Sequence, residues 1–275
     1  MDAIIKGLRT NRTFAITSLL VVALILIAVA APLLAPYDPT FAEMRDAYME
    51  PSSEHFFGTD KLGRDCFSRV IYGGRASLAG VLILVASVFT VGTTLGVISG
   101  YFGGKVDMVI MRISDLMISF PGMILAIAVA GIMGGSLVNA VIALTIVSWT
   151  KYARLARSLV LKIKSRDFVE AAIVNGGTAR HILWTHILPN ILPLMVVTAA
   201  ADIGALMMEL AGLSFLGLGV KPPMAEWGSM MSSGRSMIQT YPWVVLSPGI
   251  AIFVSVAIFN LLGDTVRDYL DPKSS

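Results

Sequence analysis

Residues 166–190 read RDFVEAAIVNGGTARHILWTHILPN, a polar stretch with helical character that lies between two long apolar segments. Glu170, Ala171 and Ala172 stand at its centre, and these residue types favour a helix. Glu-Ala-Ala alone is a common helical tripeptide, so its significance depends on the residues that follow it.

Two adjacent glycines follow the tripeptide and predict a sharp turn. Gly176 and Gly177 interrupt the helix, because glycine adopts positive φ at no steric cost and is favoured just past a helix end. A second short helix is predicted from Thr178 to Leu188, and Pro189 is expected to end it. The stretch therefore predicts a helix–turn–helix hairpin, a shape that fits a groove on another protein.

The composition is that of a protein that crosses a membrane several times. Of the 275 residues, 56% are hydrophobic and 14% are charged, whereas soluble domains average about 25% charged residues. The single cysteine, Cys66, excludes a disulfide framework, and a net charge of +3 is too small to indicate nucleic-acid binding. No phosphate-binding loop occurs, because Gly104 and Lys105 are followed by Val106. If ATP drives this protein, another chain must bind it.

Six apolar runs predict six membrane-spanning helices. The first is about 20 residues long, enough to cross a hydrocarbon core of about 30 Å. A cleaved signal peptide competes for this run, since V-A-A-P at residues 29–32 resembles a cleavage site, but the run is longer than a signal core. The predicted spans cover residues 14–34, 76–100, 108–133, 137–150, 191–211 and 243–262.

Two segments are expected outside the membrane on the far side from residues 166–190. Residues 36–75 are polar and predict a turn-rich loop in which Asp60, Arg64 and Asp65 pair locally. Residues 212–228 are punctuated by glycine and proline and form a segment that can dip back into the membrane. Neither segment indicates catalysis.

Small and helix-breaking residues mark two of the spans. The second span is rich in glycine, serine and threonine, which let helices approach closely in lipid. The third span contains Phe120-Pro121-Gly122, which predicts a kink that faces protein or water rather than lipid.

The distribution of lysine and arginine orients the chain. With this topology fourteen of these residues lie on the cytoplasmic side and seven outside, as the positive-inside rule expects. The densest basic cluster directly precedes residues 166–190 and predicts that this stretch is cytoplasmic. Both chain termini are predicted to be cytoplasmic as well.

Ionisable residues within the predicted spans are candidates for a translocation path. Asp202 and Glu209 are seven residues apart and therefore lie roughly on one helical face. They either line a path and attract a cation or an amino terminus, or form a structural contact with a neighbouring helix or a partner subunit. Met208 and Asp115 complete the candidate path, although methionine is also common as packing material.

The sequence offers no convincing catalytic or metal centre. His181 and His186 are five residues apart, unlike the i, i+4 pair of a zinc-binding helix, and no carboxylate lies between them. They are interpreted as surface histidines of the hairpin. Metal ligands are left unassigned, and the chain itself is expected to perform no bond chemistry.

Glu-Ala-Ala, the spaced glycine and Leu-Pro, set between membrane spans, resemble the permease subunits of binding-protein-dependent ABC importers. The cytoplasmic loop of these permeases docks into an ATPase subunit. His186 departs from the pattern, because many members carry isoleucine there. The H-I-L-P-N ending and the segment FGTDKLGRDCFSR (residues 57–69) resemble the peptide/nickel branch. WTKYAR (149–154) and ADIGALMM (201–208) look more like nickel-type permeases than dipeptide ones.

The resemblance implies an all-α permease of six transmembrane helices with the type I importer fold. It divides the chain into residues 1–75, with the N-terminal tail, first span and outer segment, and a permease domain of residues 76–275 with a coupling loop at about 164–190. The ATPase-coupling residues that it implies are Glu170, Ala171, Ala172, Gly176, Gly177, Leu188 and Pro189.

The same resemblance implies the partners and the cargo. A homologous second permease, two ATPase subunits that bind ATP and Mg, and an extracytoplasmic substrate-binding protein would complete the complex in the cell membrane. The cargo would be nickel or metal chelates, or short peptides, with a dipeptide- or oligopeptide-specific permease as the alternative. From other classes, an ion-gradient-driven transporter leaves the Glu-Ala-Ala pattern unexplained, and an intramembrane hydrolase lacks a nucleophile–base pair.

Overall fold

The computed structural model describes residues 12–270, with side chains to residue 268. Lys6, Arg9 and Lys273, which contribute to the predicted charge bias, lie outside this range. Every regular element within it is helical, so the predicted all-α class is confirmed. The main helices are α1 (Arg12–Val29), α2 (Ala31–Leu34), α3 (Cys66–Phe102), α4 (Gly104–Ile118), α5 (Gly122–Met133), α6 (Leu137–Lys164), α7 (Asp167–Val174), α8 (Ala179–Ile182), α9 (Leu188–Phe215), α10 (Trp227–Gly234) and α11 (Trp243–Leu270).

Four helices of the described chain are long and apolar enough to cross a membrane. They are α1, α3, α11 and a continuous helix from Ala179 to Phe215, and the bent pair α4–α5 makes a fifth if it counts as one span. The fourth predicted span lies in α6, which has 28 residues but whose C-terminal half is cationic. Length and composition thus identify four or five of the six predicted spans.

The predicted kink in the third span is a complete break. α4 and α5 are bent by 95° where Ser119, Phe120 and Pro121 separate them. Pro121 lacks an N–H and cannot continue α4, while its carbonyl accepts the N–H groups of Ile124 and Leu125 and starts α5. One sequence signal therefore ends one helix and begins the next.

Close backbone contacts hold the spans in two helix pairs. In the first pair, a Cβ on Gly96 of α3 would lie 2.3 Å from the Ala153 carbonyl oxygen of α6. In the second pair, a Cβ on Gly263 of α11 would lie 2.5 Å from the Ala201 Cα of α9. These two pairs, α3–α6 and α9–α11, are the most extensively packed in the described chain. Small residues at the crossings allow this approach, as the composition of the second span predicts.

Helix α3 begins earlier than the predicted second span. It starts at Cys66 rather than near Ala76, because an Asp65 carboxylate oxygen accepts the Ser68 N–H at 2.7 Å and caps the helix. The predicted division after residue 75 therefore falls inside a helix. The predicted outer loop is correspondingly shorter, and residues 35–65 are called the outer segment below.

Buried charges fix the outer segment onto α3. Asp60 accepts a hydrogen bond from the Arg64 Nε at 2.7 Å and lies 3.6 Å from the Arg69 Nε. Arg69 also donates to backbone carbonyls of the outer segment and of the loop before α10. Local pairing of Asp60 with Arg64 is confirmed, whereas Asp65 pairs with His55 at 3.0 Å. These contacts make the segment a folded cap rather than a loose loop.

The segment after α9 returns to the protein interior. Glu226 is 2% exposed, and its carboxylate accepts the backbone N–H groups that open α10. The Ser77 hydroxyl of α3 donates to the same carboxylate at 3.2 Å, and the Trp227 indole donates to the Val70 carbonyl at 2.7 Å. The glycine- and proline-rich residues thus lead the chain back onto α3.

Replacing Asp60 with alanine should destabilise the protein. Arg64 and Arg69 would stay buried without their carboxylate, and breaking a buried pair in this way costs about 3–5 kcal/mol. Thermal unfolding of the purified chain in detergent measures the loss. Asp38→Asn is the matched control, since Asp38 is an exposed carboxylate of the same segment that bonds to nearby Thr40 and to no arginine. Equal unfolding temperatures for both variants would contradict the buried-network interpretation.

Candidate functional site: a hairpin continuous with a span

The turn of the hairpin is the one that the two glycines predict. Gly176 has φ +81°, in the left-handed region. Its N–H donates to the Ile173 carbonyl at 3.0 Å, and the Gly177 N–H donates to the Ala172 carbonyl at 2.9 Å. This pair of hydrogen bonds is the Schellman closure of a helix end, which requires a left-handed residue at the position of Gly176.

The hairpin is anchored by buried residues and presents apolar ones. Val169 of α7 and Ile182 of α8 are buried, at 0% and 1% exposure. Val174 is 84% exposed and Trp184 is 67% exposed, and Glu170 also faces outward. A hairpin that exposes large apolar side chains on its surface is suited to contact another protein. The sequence motif did not predict which of these residues are buried and which are exposed, because it does not distinguish the two faces of the hairpin.

The second helix of the hairpin does not end at Pro189, and that prediction is wrong. Residues Leu183–Ile187 form a π-helical turn, in which the Leu188 N–H reaches back to the Leu183 carbonyl. Pro189 then falls in the first turn of α9, where a missing N–H is tolerated. The wider π turn lets the chain pass the proline ring without a break. The second helix of the hairpin and the fifth predicted span are therefore one continuous helix from Ala179 to Phe215.

The two carboxylates of the fifth span face α6. Asp202 accepts hydrogen bonds from the Lys151 Nζ at 2.7 Å to each oxygen, and from the Tyr152 hydroxyl at 3.0 Å. Glu209 interacts with the Ser148 hydroxyl on the same side of α6. The shared face is confirmed, and the contact partner is the neighbouring helix. Lining of a translocation path by these residues stays a prediction.

The other candidate path residues are divided between two places. Asp115 of α4 pairs with Arg154 at 2.5 Å, one turn of α6 beyond Lys151. Met208 is 54% exposed and lines a cavity of about 500 Å³ between α9, α10 and α11. The structure therefore brings the two aspartates to neighbouring turns of α6 and leaves Met208 elsewhere.

The described residues contain no cluster of side chains that could ligate a metal ion. Within residues 12–268, no cluster of three or more histidine, cysteine, aspartate or glutamate side chains could hold a metal ion. The rings of His181 and His186 lie 5.7 Å apart on the hairpin, and His186 also approaches Phe168. These histidines belong to the hairpin surface.

Family models match both parts of the chain. Residues 92–275 match a model described as binding-protein-dependent transport system inner membrane component, and residues 2–51 match the N-terminal TM domain of oligopeptide transport permease C. The second match agrees with the interpretation of the first apolar run as a span. Together the two models cover most of the sequence.

Curated relatives and a solved structure point the same way. The dipeptide transport system permease protein DppC of Alkalihalophilus pseudofirmus is 44% identical over 98% of this chain and 88% of its own length. The nickel transport system permease protein NikC of Escherichia coli K12 is 41% identical over 93% of this chain and 92% of its own length. The fold resembles the inward-facing MetNI methionine ABC transporter, with TM-score 0.59 and 20% identity over 73% of this chain and 96% of that chain.

The helical fold and the hairpin continuous with a span define an integral-membrane permease of the ABC importer type. The extent of the family match and the sequence identity to permease proteins also identify the family. This chain belongs to the family of binding-protein-dependent transport system inner membrane components, in its peptide/nickel branch. It is thus a multi-pass inner-membrane protein whose relatives are transport subunits.

Replacing Gly176 with valine should loosen the hairpin. A β-branched residue at φ +81° costs about 1–2 kcal/mol or more, although open space surrounds the position. Amide hydrogen exchange across residues 166–182 should accelerate about tenfold in the variant, as this cost implies. Gly176→Asn is the matched control, because asparagine tolerates left-handed backbone. Equal exchange in the two variants would mean that the turn does not depend on glycine.

Proposed function

We propose that this chain is the permease subunit of an ATP-driven importer and forms a translocation path together with a homologous second permease. The observation that carries the proposal is the hairpin of residues 166–187, which exposes apolar side chains and runs without interruption into a span. A docking element joined rigidly to a transmembrane helix can pass a movement from a partner into the membrane. Membership of the importer family supports the same role.

The proposal places the energy source in other subunits. The sequence contains no phosphate-binding loop, so ATP and Mg would bind to two ATPase subunits that dock on the hairpin. A substrate-binding protein would deliver cargo on the opposite side, where the outer segment lies. Excess lysine and arginine near the hairpin favours cytoplasmic placement of the hairpin and of both termini.

The proposed cargo is a short peptide. The dipeptide permease relative supports this choice, with 44% identity along nearly the whole chain. Nickel, free or chelated, is the second candidate, supported by the nickel permease relative and by the sequence likeness of residues 149–154 and 201–208 to nickel-type permeases. Selectivity of this kind of importer lies largely in the binding protein, so the cargo must be measured rather than deduced from the spans.

Uptake into vesicles tests the function and separates the two cargoes. The complete complex, reconstituted with its second permease, ATPases and binding protein, should accumulate a radiolabelled dipeptide only when ATP is supplied to the ATPases. Radioactive nickel, offered under the same conditions, should accumulate little if the peptide proposal is right. Uptake that follows an ion gradient and ignores ATP would overturn the importer proposal.

The exposed tip of the hairpin should be necessary for ATPase docking. Val174→Asp places a charge at an 84% exposed apolar position and should abolish co-purification of the ATPases, because a desolvated charge opposes the contact. Thermal stability of the chain alone should change little, since the Val174 side chain lies largely in solvent. Ile182→Ala changes a buried anchor of the same hairpin. It should lower thermal stability and leave co-purification of the ATPases in place. Normal co-purification with Val174→Asp would exclude the tip as the docking surface.

A further inference from the structure

The two helix pairs are internally rigid. In the first pair α3 and α6 touch backbone to backbone at Gly92 and Gly96. In the second pair α11 touches the α9 backbone at Gly263 and packs its Asn260 side chain against Gly204 of α9. Such close contacts leave little room between the helices, and packed interiors resist deformation. Each pair is therefore expected to move as one body, and the joint between them consists of the contacts of α9 with α3 and α6 and of α11 with α3.

A compact polar bridge crosses this joint. The Asp202 side chain is 17% exposed, and both of its oxygens accept the Lys151 ammonium group at 2.7 Å. Tyr152, which is 1% exposed, donates its hydroxyl to the same carboxylate at 3.0 Å. The neighbouring cations of α6 point to other partners, because Arg154 and Arg157 pair with carboxylates of α4.

The bridge joins a mostly buried carboxylate to a lysine whose side chain is 61% exposed, so Asp202 depends on the contact more than Lys151 does. Ionisable groups within a span are costly unless they are paired, and low polarity strengthens the attraction between opposite charges. Removal of one partner leaves the other charge without compensation. α6 and α9 thus gain most when Lys151 and Asp202 stay together while the helices move.

We propose that Lys151 and Asp202, oriented by Tyr152, form a latch that makes the first helix pair follow the second. This inference rests on the proposed function, since the motion that it transmits enters at the hairpin. α9 continues from the hairpin, so a docked ATPase moves α9 and α11 directly. The latch transfers this motion to α6 and α3. Lys151 and Asp202 are positioning residues, which act on the path through the helices that they join.

The latch differs sharply from a role for Asp202 in cargo binding. In the structure both carboxylate oxygens are occupied by donors of the chain itself, which leaves Asp202 with a partner before any cargo arrives. A latch needs opposite charges on the two helices but does not depend on which helix carries which sign. A cargo site needs the negative charge at position 202.

Exchange of the two charges separates these roles. The variants Lys151→Asp, Asp202→Lys and their combination are made in the complete complex, with Asp202→Asn as a milder variant that is less disruptive to folding. Uptake of a radiolabelled dipeptide and ATP hydrolysis are measured together in vesicles. Thr198→Val is the matched control, since its hydroxyl bonds only to the Leu194 carbonyl of its own helix.

The single variants and Asp202→Asn should lower the dipeptide transported per ATP about tenfold, within the usual range of coupling between sites, while ATP hydrolysis continues. The combined variant should restore the ratio to within about threefold of the wild type. Thr198→Val should behave as the wild type does. No recovery in the combined variant, or a normal ratio in Asp202→Asn, would overturn the latch.

A second measurement tests the Lys151–Asp202 contact independently of transport. Thermal unfolding of the purified chain should show a loss of stability in the combined variant that is smaller than the sum of the losses in the two single variants, because the pair is restored. Additive losses would overturn the contact itself. If the wild-type complex shows no ATP-dependent uptake, the proposed function fails, and the unfolding cycle still decides whether the bridge exists.

Discussion

Lipid offers no hydrogen bonds to a polypeptide backbone, and this constraint shapes every part of the chain. Each N–H and carbonyl within the membrane must find its partner in the same helix, so apolar sequence becomes helix wherever it is long enough. At two prolines, local chemistry replaces the lost backbone bonds. At Pro121 a second helix starts from the proline carbonyl, and at Pro189 a π turn widens the coil. The same requirement explains why the hairpin can merge with a span.

Much of the fold follows from sequence because it depends on neighbours along the chain. Apolar length predicts most of the spans, and paired glycines predict the turn at Gly176. Proline is less predictable, since its effect depends on position within the turn: the same residue type breaks the helix at Pro121 and is accommodated at Pro189. A sequence pattern cannot show whether the preceding turn widens, because that choice is made by packing.

The outer segment shows where sequence reasoning stops. Residues 66–75 stand at the end of the segment that the sequence predicts to be an outer loop, yet they form the first turns of α3. Their stability comes from Asp60, Arg69 and loops that lie far apart in sequence, and no local pattern brings these together. The candidate site behaves in the same way. Spacing predicts that Asp202 and Glu209 share a face, but only the fold shows that this face meets α6.

The continuity between hairpin and span has a mechanical consequence. α9 alone has 28 residues and is about 42 Å long at 1.5 Å per residue. A rigid rod of that length acts as a lever whose short arm is the hairpin beyond the π turn. A tilt of about 10° at the π turn would shift the far end, near Phe215, by about 7 Å. Small rotations at the rim of the membrane are thereby magnified at the opposite face, where α9 leads into the segment that packs on α3.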